Sequence, residues 1–112
     1  MKQVTAIIKP FKLNEVRDAL NAIGVAGLTV TQVQGYGRQR GQGAVYRGPE
    51  YEIKFIPKLK VEILVPANQA DQVFRTILSA AHTGQLGDGK VYVHDIEKIA
   101  RIRTGELDDH AI

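Results

Sequence analysis

Two copies of one strand–helix–strand pattern, separated by a glycine-rich stretch at 35–55, limit the folds open to this chain. Apolar residues alternate or run continuously in four segments and recur at helical spacing in two others. The predicted strands are 3–8, 28–36, 58–66 and 90–96, and the predicted helices are 13–23 and a segment capped by Asn68 with its apolar stripe over 70–81. This order is that of an α+β, ferredoxin-like βαββαβ sandwich, with one antiparallel sheet and two helices on one face.

The second face of that sheet would stay uncovered by the helices. It is predicted to present Ile7, Val30 and Leu64. A small domain with an open, partly apolar face often associates with copies of itself. We therefore expect a homo-oligomer.

Composition narrows the class of protein. The 112 residues are 44% hydrophobic and 24% charged, which is ordinary for a single globular domain. Cysteine is absent, so disulfides and thiol chemistry are excluded. No apolar run approaches the roughly 20 residues of a membrane span, and the first apolar segment is too short for a signal peptide. A cytoplasmic protein is expected. The net charge of +3 comes from scattered residues and points only weakly to nucleic acid.

The stretch at 35–55 is too polar and too rich in glycine to pack into a core. Connections of this length are mostly functional or disordered. It carries side chains suited to contact with a partner or ligand, namely Arg38, Arg40, Tyr46, Arg47 and Tyr51. We predict one domain over 1–112, with a flexible loop at about 37–55 and a C-terminal tail at about 98–112.

A second glycine loop precedes the last strand, and its letters match the first part of a phosphate-binding P-loop, GxxxxGK. Val91 stands where that motif needs a magnesium-binding Ser or Thr, and the loop runs from helix to strand, so a Walker A site is rejected. Backbone amides around Gly87, Asp88 and Gly89 could still converge on an anion, with charge from Lys90. The alternative is a plain Asp-Gly turn before a strand.

Three other basic residues could either contact an anionic ligand or lie in solvent. Arg101 and Arg103 would point the same way in an extended segment and clamp a polyphosphate, or they are solvated surface residues. Lys58 is predicted to project from the sheet edge toward the glycine loop, or into solvent. The histidines lack metal-ligand spacing, and no catalytic carboxylate pair or Ser-His-Asp set is recognisable. The residues alone favour an anion or nucleotide binder over an enzyme.

Five blocks in fixed order carry a family resemblance. They are AIIKPFKLNEVRDAL at 6–20, GYGRQRGQ at 35–42, YRGPEY at 46–51, TGQLGDGKVYV at 83–93 and RIRTGE at 101–106. Over essentially its whole length the chain closely resembles the PII signal-transduction proteins of nitrogen regulation, of proteobacterial type. The resemblance implies a homotrimer of ferredoxin-like subunits. Three nucleotide sites would lie between neighbouring subunits, where ATP and ADP compete.

The resemblance also implies particular nucleotide-binding residues. Base and ribose would be held by Ile7, Gly27, Thr29, Glu62 and Leu64. Phosphates would be held by Gly37, Arg38, Gly87, Asp88, Gly89 and Lys90, with Arg101 and Arg103 reaching in from the adjacent subunit. Gly35 and Gln39 complete the nucleotide-binding set.

The family resemblance further implies a site for 2-oxoglutarate. Gln39 would coordinate Mg²⁺ together with ATP phosphates and the 2-oxo acid, and Lys58 would pair with the distal carboxylate. Backbone near Gly41 and Gly87 would complete the pocket. Because ATP and 2-oxoglutarate would share one ion, their binding should be coupled, and the coupling must be reciprocal.

The long loop would be the output of such a sensor of nitrogen, carbon and energy status. The targets implied are a uridylyltransferase, an adenylyltransferase, a sensor kinase or an ammonium channel, with the membrane reached only through the channel and nucleic acid not involved. Tyr51 matches the tyrosine that is uridylylated in relatives, and Arg47 matches an arginine that enters the channel pore.

Some positions depart from the family pattern. Arg40 stands where lysine is common, 43–44 is less polar than usual, and Pro49 restricts the residue before it. These changes leave the ligand pocket intact and bear on partner choice. Two other functions stay open. One is slow ATP hydrolysis, motivated by the phosphate-like loop; the other is an RNA-binding or protein-binding module, motivated by a pI of about 9.3.

Overall fold

The structure is a computed structural model, and it describes residues 1–36 and 55–112. The strands are β1 (Lys2–Ile8), β2 (Thr29–Gly35), β3 (Ile56–Val65) and β4 (Lys90–Asp95), and the helices are α1 (Leu13–Ala22) and α2 (Ala70–Ala81). Short 3₁₀ turns at Pro10–Lys12 and Ala67–Gln69 lead into the two helices, and a third lies at Asp108–Ala111. The predicted α+β, ferredoxin-like order of elements is confirmed.

The four strands form one antiparallel sheet in the order β2-β3-β1-β4. The two sequence units therefore interleave, because β1 of the first unit pairs with β3 and β4 of the second. Strands β2 and β4 lie at the edges of the sheet.

The core lies between one face of the sheet and the two helices. Alternate residues of the central strands are fully buried, because side chains of a strand point to opposite faces. The buried apolar residues are Val4, Ala6, Ile8, Val16, Leu20, Val61, Ile63, Val65, Ala70, Val73, Ile77 and Ala81. Burial of each Val, Leu or Ile side chain contributes about 1.5–3 kcal/mol. The helices cover only this face, which leaves the second, open face available for a site.

Two details of the sequence prediction are wrong. Val30 pairs with Val61, so it lies on the helix side of the sheet and not on the open face. Asn68 lies inside the 3₁₀ turn, and Gln69 takes the N-cap position of α2 without a side-chain hydrogen bond. The turn closes instead through the backbone, where the Gln69 amide donates to the Pro66 carbonyl at 3.0 Å.

Strand β3 begins two residues earlier than the alternating pattern indicated. Pro57 is part of it and pairs with Gln34 of β2. The pairing of β1 with β3 ends at Ile8 and Leu59, so this end of β3 has a neighbour on one side. A proline, which lacks an amide hydrogen, is tolerated at such an edge position.

Candidate functional site

The open face of the sheet brings several predicted site residues into register. Thr29, Glu62, Thr5 and Tyr92 lie opposite one another across the four strands. The adjacent row consists of Thr31, Lys60, Ile7 and Lys90. Because paired residues of an antiparallel sheet share a face, the nucleotide-binding candidates Ile7, Thr29, Glu62, Leu64 and Lys90 all lie on the open side. They come from four different segments of the sequence.

A cavity of about 730 Å³ opens where β2 and β3 meet the turn after α1. Four of the predicted base and ribose residues line it, namely Gly27, Thr29, Glu62 and Leu64. Gln3 and the C-terminal residues Ala111 and Ile112 line it as well. Its size is within the roughly 300–1,000 Å³ of small-molecule sites. The structure thus gathers four of the candidates around one space large enough for a nucleoside.

Ile7 lies apart from this large cavity. It lines a small cavity of about 50 Å³ together with the predicted phosphate residues Asp88, Gly89 and Lys90. The structure therefore places Ile7 at the junction between the predicted base residues, which share its sheet face, and the predicted phosphate residues.

The loop that leads into β4 depends on glycine. Gly84, Gly87 and Gly89 all have positive φ, at 83°, 89° and 94°, a region that residues with a side chain rarely adopt. A Cβ atom on Gly89 would lie 1.7 Å from the Ile7 carbonyl oxygen. The loop can therefore pass over β1 only because this position has no side chain.

The Asp88 carboxylate is engaged by the loop itself. It accepts hydrogen bonds from the Thr83 amide at 2.8 Å, the Gly84 amide at 2.9 Å and the Thr83 hydroxyl. Lys9 Nζ lies 3.2 Å from it. These contacts, the Thr83 hydroxyl first, hold the pKa of the Asp88 carboxyl far below its usual range. A negative carboxylate held this way closes the loop, so we expect phosphate contact at Asp88 through its backbone.

Lys58 reaches the same loop from β3. Its side chain is buried, with the residue only 7% exposed, and Nζ donates to the Gly87 carbonyl. Of the two alternatives for Lys58, the structure has the side chain directed toward the glycine loop and not into solvent. Burial lowers the pKa of the Lys58 ammonium, and the nearby charge of Lys9 lowers it further. Lys58 and Gly87, both predicted to hold 2-oxoglutarate, are therefore in contact.

Gly35 joins this corner of the site. It pairs with Ile56 at the end of β2, and a Cβ atom placed on it would lie 3.3 Å from Lys58 Cγ. The absence of a side chain at Gly35 leaves room for the aliphatic part of Lys58. A nucleotide-binding candidate thus lies beside a 2-oxoglutarate-binding candidate.

Two alternatives were open for the arginine pair, a clamp in an extended segment or solvated surface residues. The extended segment is not formed, because residues 102–104 form a turn. Arg101 donates to the Ile112 carbonyl at 3.0 Å and lies 3.5 Å from Glu106, while Arg103 is exposed. The turn arises because the Gly105 amide donates to the Arg101 carbonyl at 2.7 Å.

Six predicted site residues lie outside the described residues: Gly37, Arg38, Gln39, Gly41, Arg47 and Tyr51. Their roles stay predictions. Within 1–36 and 55–112, His, Asp and Glu side chains form no group of three that could hold a metal ion. No helix in the same ranges has the length and apolar character needed to cross a membrane.

Sequence reasoning missed three residues that the structure places at the site. Lys9 and Thr83 both contact Asp88, and Gln3 contacts Glu62. Thr83 lies in the same block as the glycine loop, and the spacing of Gln3 and Ile7 places both on one face of β1. No sequence pattern indicated Lys9, because Lys9 precedes Asp88 by 79 positions and only the fold brings the two together.

Fold and site together define a small α+β protein with a ferredoxin-like fold, a polar open sheet face and a glycine loop suited to anions. The family model described as nitrogen regulatory protein P-II matches residues 1–106. The chain is 57% identical to nitrogen regulatory protein P-II of Rhizobium etli and 51% identical to nitrogen regulatory protein GlnK of Escherichia coli K12. Both alignments span 112 residues and all of each chain. The chain belongs to the P-II family of nitrogen regulatory proteins, and the resemblance seen in the sequence is confirmed.

We expect Gly89→Ala to destabilise the protein strongly. The positive φ costs about 1–3 kcal/mol for a residue with a side chain, and the clash with the Ile7 carbonyl costs about 1–3 kcal/mol more. Urea denaturation at equal protein concentration measures the loss. Gly27→Ala is the matched control, since a Cβ atom there meets nothing within 4 Å. Equal stability of the two variants would contradict the role of this close approach.

Asp88→Asn should lower the melting temperature at neutral pH, because an amide cannot accept all the hydrogen bonds that the carboxylate accepts. The folded-state pKa of Asp88 is depressed, so its contribution is present above the unfolded value of about 3.9. It is lost as pH falls through the folded-state pKa. The gap between wild type and variant should therefore be constant above about pH 5 and narrow in acid.

Thermal denaturation from about pH 2 to pH 7 measures this gap. Asp18→Asn is the control, because the Asp18 side chain is 69% exposed and pairs with Arg17, whose side chain is 51% exposed. A gap that widened in acid would show that the hydrogen bonds of Asp88 are not the source of the effect.

Proposed function

We propose that this protein is a cytoplasmic sensor of nitrogen, carbon and energy status that binds ATP or ADP and, with Mg-ATP, 2-oxoglutarate. One observation carries the proposal: Gly27, Thr29, Glu62 and Leu64 converge on a single cavity of about 730 Å³. Membership of the P-II family supports the regulatory role. The cavity has donor and acceptor side chains beside apolar ones, which suits the base and sugar of a nucleotide.

The phosphate end of the ligand would lie toward the glycine loop. Positive φ at Gly87 and Gly89 turns the backbone so that its amides can face an anion, and Lys90 adds charge at the start of β4. Binding ATP or ADP in this way requires no residue that positions a water molecule for attack on a phosphate. ATP and ADP would bind as regulators, and slow ATP hydrolysis stays an alternative prediction, to be tested with Lys90→Ala.

The 2-oxoglutarate end would lie at Lys58. Its ammonium already donates to the Gly87 carbonyl, so a ligand carboxylate would find a charged donor held in place. A magnesium ion would take most of its oxygen ligands from ATP and the 2-oxo acid, with Gln39 as the protein ligand. That ion would supply the link between the two ligands. All other contacts to the two ligands would come from residues of this protein.

Regulation would pass through the loop between β2 and β3 in a homotrimer, with Arg101 and Arg103 completing the site of a neighbouring subunit. Tyr51 is the proposed site of uridylylation, and Arg47 the proposed contact for an ammonium channel. Uridylyltransferase, adenylyltransferase and sensor kinases are the other proposed targets. The open sheet face, left uncovered by α1 and α2, is available for contacts between subunits.

Calorimetry tests the shared-ion mechanism. ATP should bind in the presence of Mg²⁺, and 2-oxoglutarate should bind tightly only when Mg-ATP is present. Because coupling is reciprocal, 2-oxoglutarate should tighten Mg-ATP binding by the same factor. Equal 2-oxoglutarate binding without ATP would reject the shared ion, and no binding of ATP or ADP would reject the proposal as a whole.

Lys58 should take up protons when 2-oxoglutarate binds. The pKa of the free ammonium is lowered by burial, and an adjacent carboxylate favours the charged form and raises that pKa. Proton uptake should therefore appear at alkaline pH, around and below the ordinary lysine value of about 10.4. Calorimetry in two buffers that differ in ionisation enthalpy measures it.

The matched variant is Lys58→Arg, which keeps a positive charge that does not titrate. It should bind 2-oxoglutarate more weakly and without proton uptake. If the uptake persisted in Lys58→Arg, another group would be its source.

A further inference from the structure

Gln3 of β1 is not among the predicted site residues, yet its side chain forms hydrogen bonds at the candidate site. Its side-chain amide donates to Glu62 Oε2 at 2.8 Å and to Thr5 Oγ1 at 3.1 Å. An ionised carboxylate only accepts hydrogen bonds, so the nitrogen end of the Gln3 amide must face Glu62. Both N–H bonds of the amide are thereby used.

The sheet fixes the positions of these three residues. Thr5 lies directly opposite Glu62, and Gln3 lies opposite Leu64, one step along the same face. Thr5 is 1% exposed, so the hydroxyl that anchors the Gln3 amide is itself held by its surroundings. The Gln3 amide therefore has one rigid acceptor in Thr5 and presents its second N–H to the Glu62 carboxylate.

Gln3 and Glu62 both line the large cavity. Within the part of the chain that the structure describes, the second carboxylate oxygen, Oε1, has no hydrogen bond. Its natural partner is a donor on a ligand, because a carboxylate has no hydrogen to offer. On a nucleotide, the available donors are the ribose hydroxyls and the amino group of the base.

We propose that Gln3 is a positioning residue: it holds Glu62 so that one carboxylate oxygen accepts a hydrogen bond from a hydroxyl or amino group of the bound nucleotide. The inference rests on the proposed function, namely that this cavity takes the nucleoside part of ATP or ADP. Without Gln3 the flexible Glu62 side chain must be ordered at the moment of binding, which costs affinity. Gln3 thus sets how strongly the site distinguishes a nucleotide with this donor from one without it.

Calorimetry with four ligands tests the proposal on the full chain. The ligands are ATP, 2′-deoxy-ATP, 3′-deoxy-ATP and ITP, each of the last three lacking one of the candidate donors. Wild type should prefer ATP over one of the analogues, which identifies the donor. Gln3→Met, of similar length and without the amide, should reduce that preference by roughly three- to tenfold. Its affinity for the discriminated analogue should change little.

Two further variants separate positioning from a general effect on structure. Glu62→Met, which has no oxygen to accept from the ligand, should abolish the preference, and adding Gln3→Met to it should have no further effect on selectivity, because Gln3 acts through the carboxylate. Gln32→Met is the control for the substitution itself, since Gln32 pairs with Leu59 on the helix side of the sheet. It should bind all four ligands as wild type does.

The outcomes distinguish the inference from the proposed function. If Gln3→Met weakens all four ligands by one common factor, or still alters selectivity in the Glu62→Met background, the positioning role is overturned. If wild type binds no ATP, the proposed function falls and the inference with it. If Gln3→Met does not fold, Gln3→Leu replaces it, and an unchanged preference for ATP in that variant overturns the proposal.

Discussion

The close passage of Gly89 over the carbonyl of Ile7 is the constraint on which the candidate site depends. A Cβ atom at Gly89 would lie 1.7 Å from that oxygen, so the loop can reach this position only through glycine. The position sets where β4 begins and brings Asp88 within reach of Lys9, just beyond the end of β1. It also places the Gly87 carbonyl against Lys58. Within the described ranges, the residues of the glycine loop predicted for phosphate and Lys58, predicted for 2-oxoglutarate, are neighbours for this reason.

Charge is distributed unevenly along the open face. Lys9, Lys58 and Asp88 gather at the glycine loop, and the Asp88 carboxylate is already engaged by Thr83 and Gly84. Glu62 lies four residues from Lys58 on the same strand, or about 13 Å away at the usual rise of a strand. A ligand that reaches both ends needs an anionic tail near the glycine loop and hydrogen-bond donors near Glu62. Nucleotides have this arrangement, with phosphates at one end and sugar hydroxyls at the other.

Patterns within single segments predicted most of the fold, because alternation and helical spacing depend on neighbouring residues. Alternation predicts the buried face of β3, and helical spacing predicts the apolar stripe of α2. Val30 was assigned to the wrong face because β2 carries valine on both faces, and only its pairing with Val61 decides between them. The turn at 102–104 and the orientation of the Asp88 carboxylate arise from hydrogen bonds between residues four or five positions apart, which alternation and helical spacing do not reveal.

The contrast between patterns within one segment and contacts between segments also applies to the two ends of the proposed site. The proposed phosphate end lies in one contiguous block, since a glycine loop makes its shape from its own backbone, and a sequence motif can therefore indicate it. The proposed nucleoside end is a row across strands, where Gln3 contacts Glu62 at a separation of 59 positions. A glutamine in a strand forms no motif, so its role emerges only when register places it beside a carboxylate. Selectivity for the nucleoside should therefore vary with cross-strand pairs of this kind, while the glycine loop, constrained by its own backbone, has far less freedom to change.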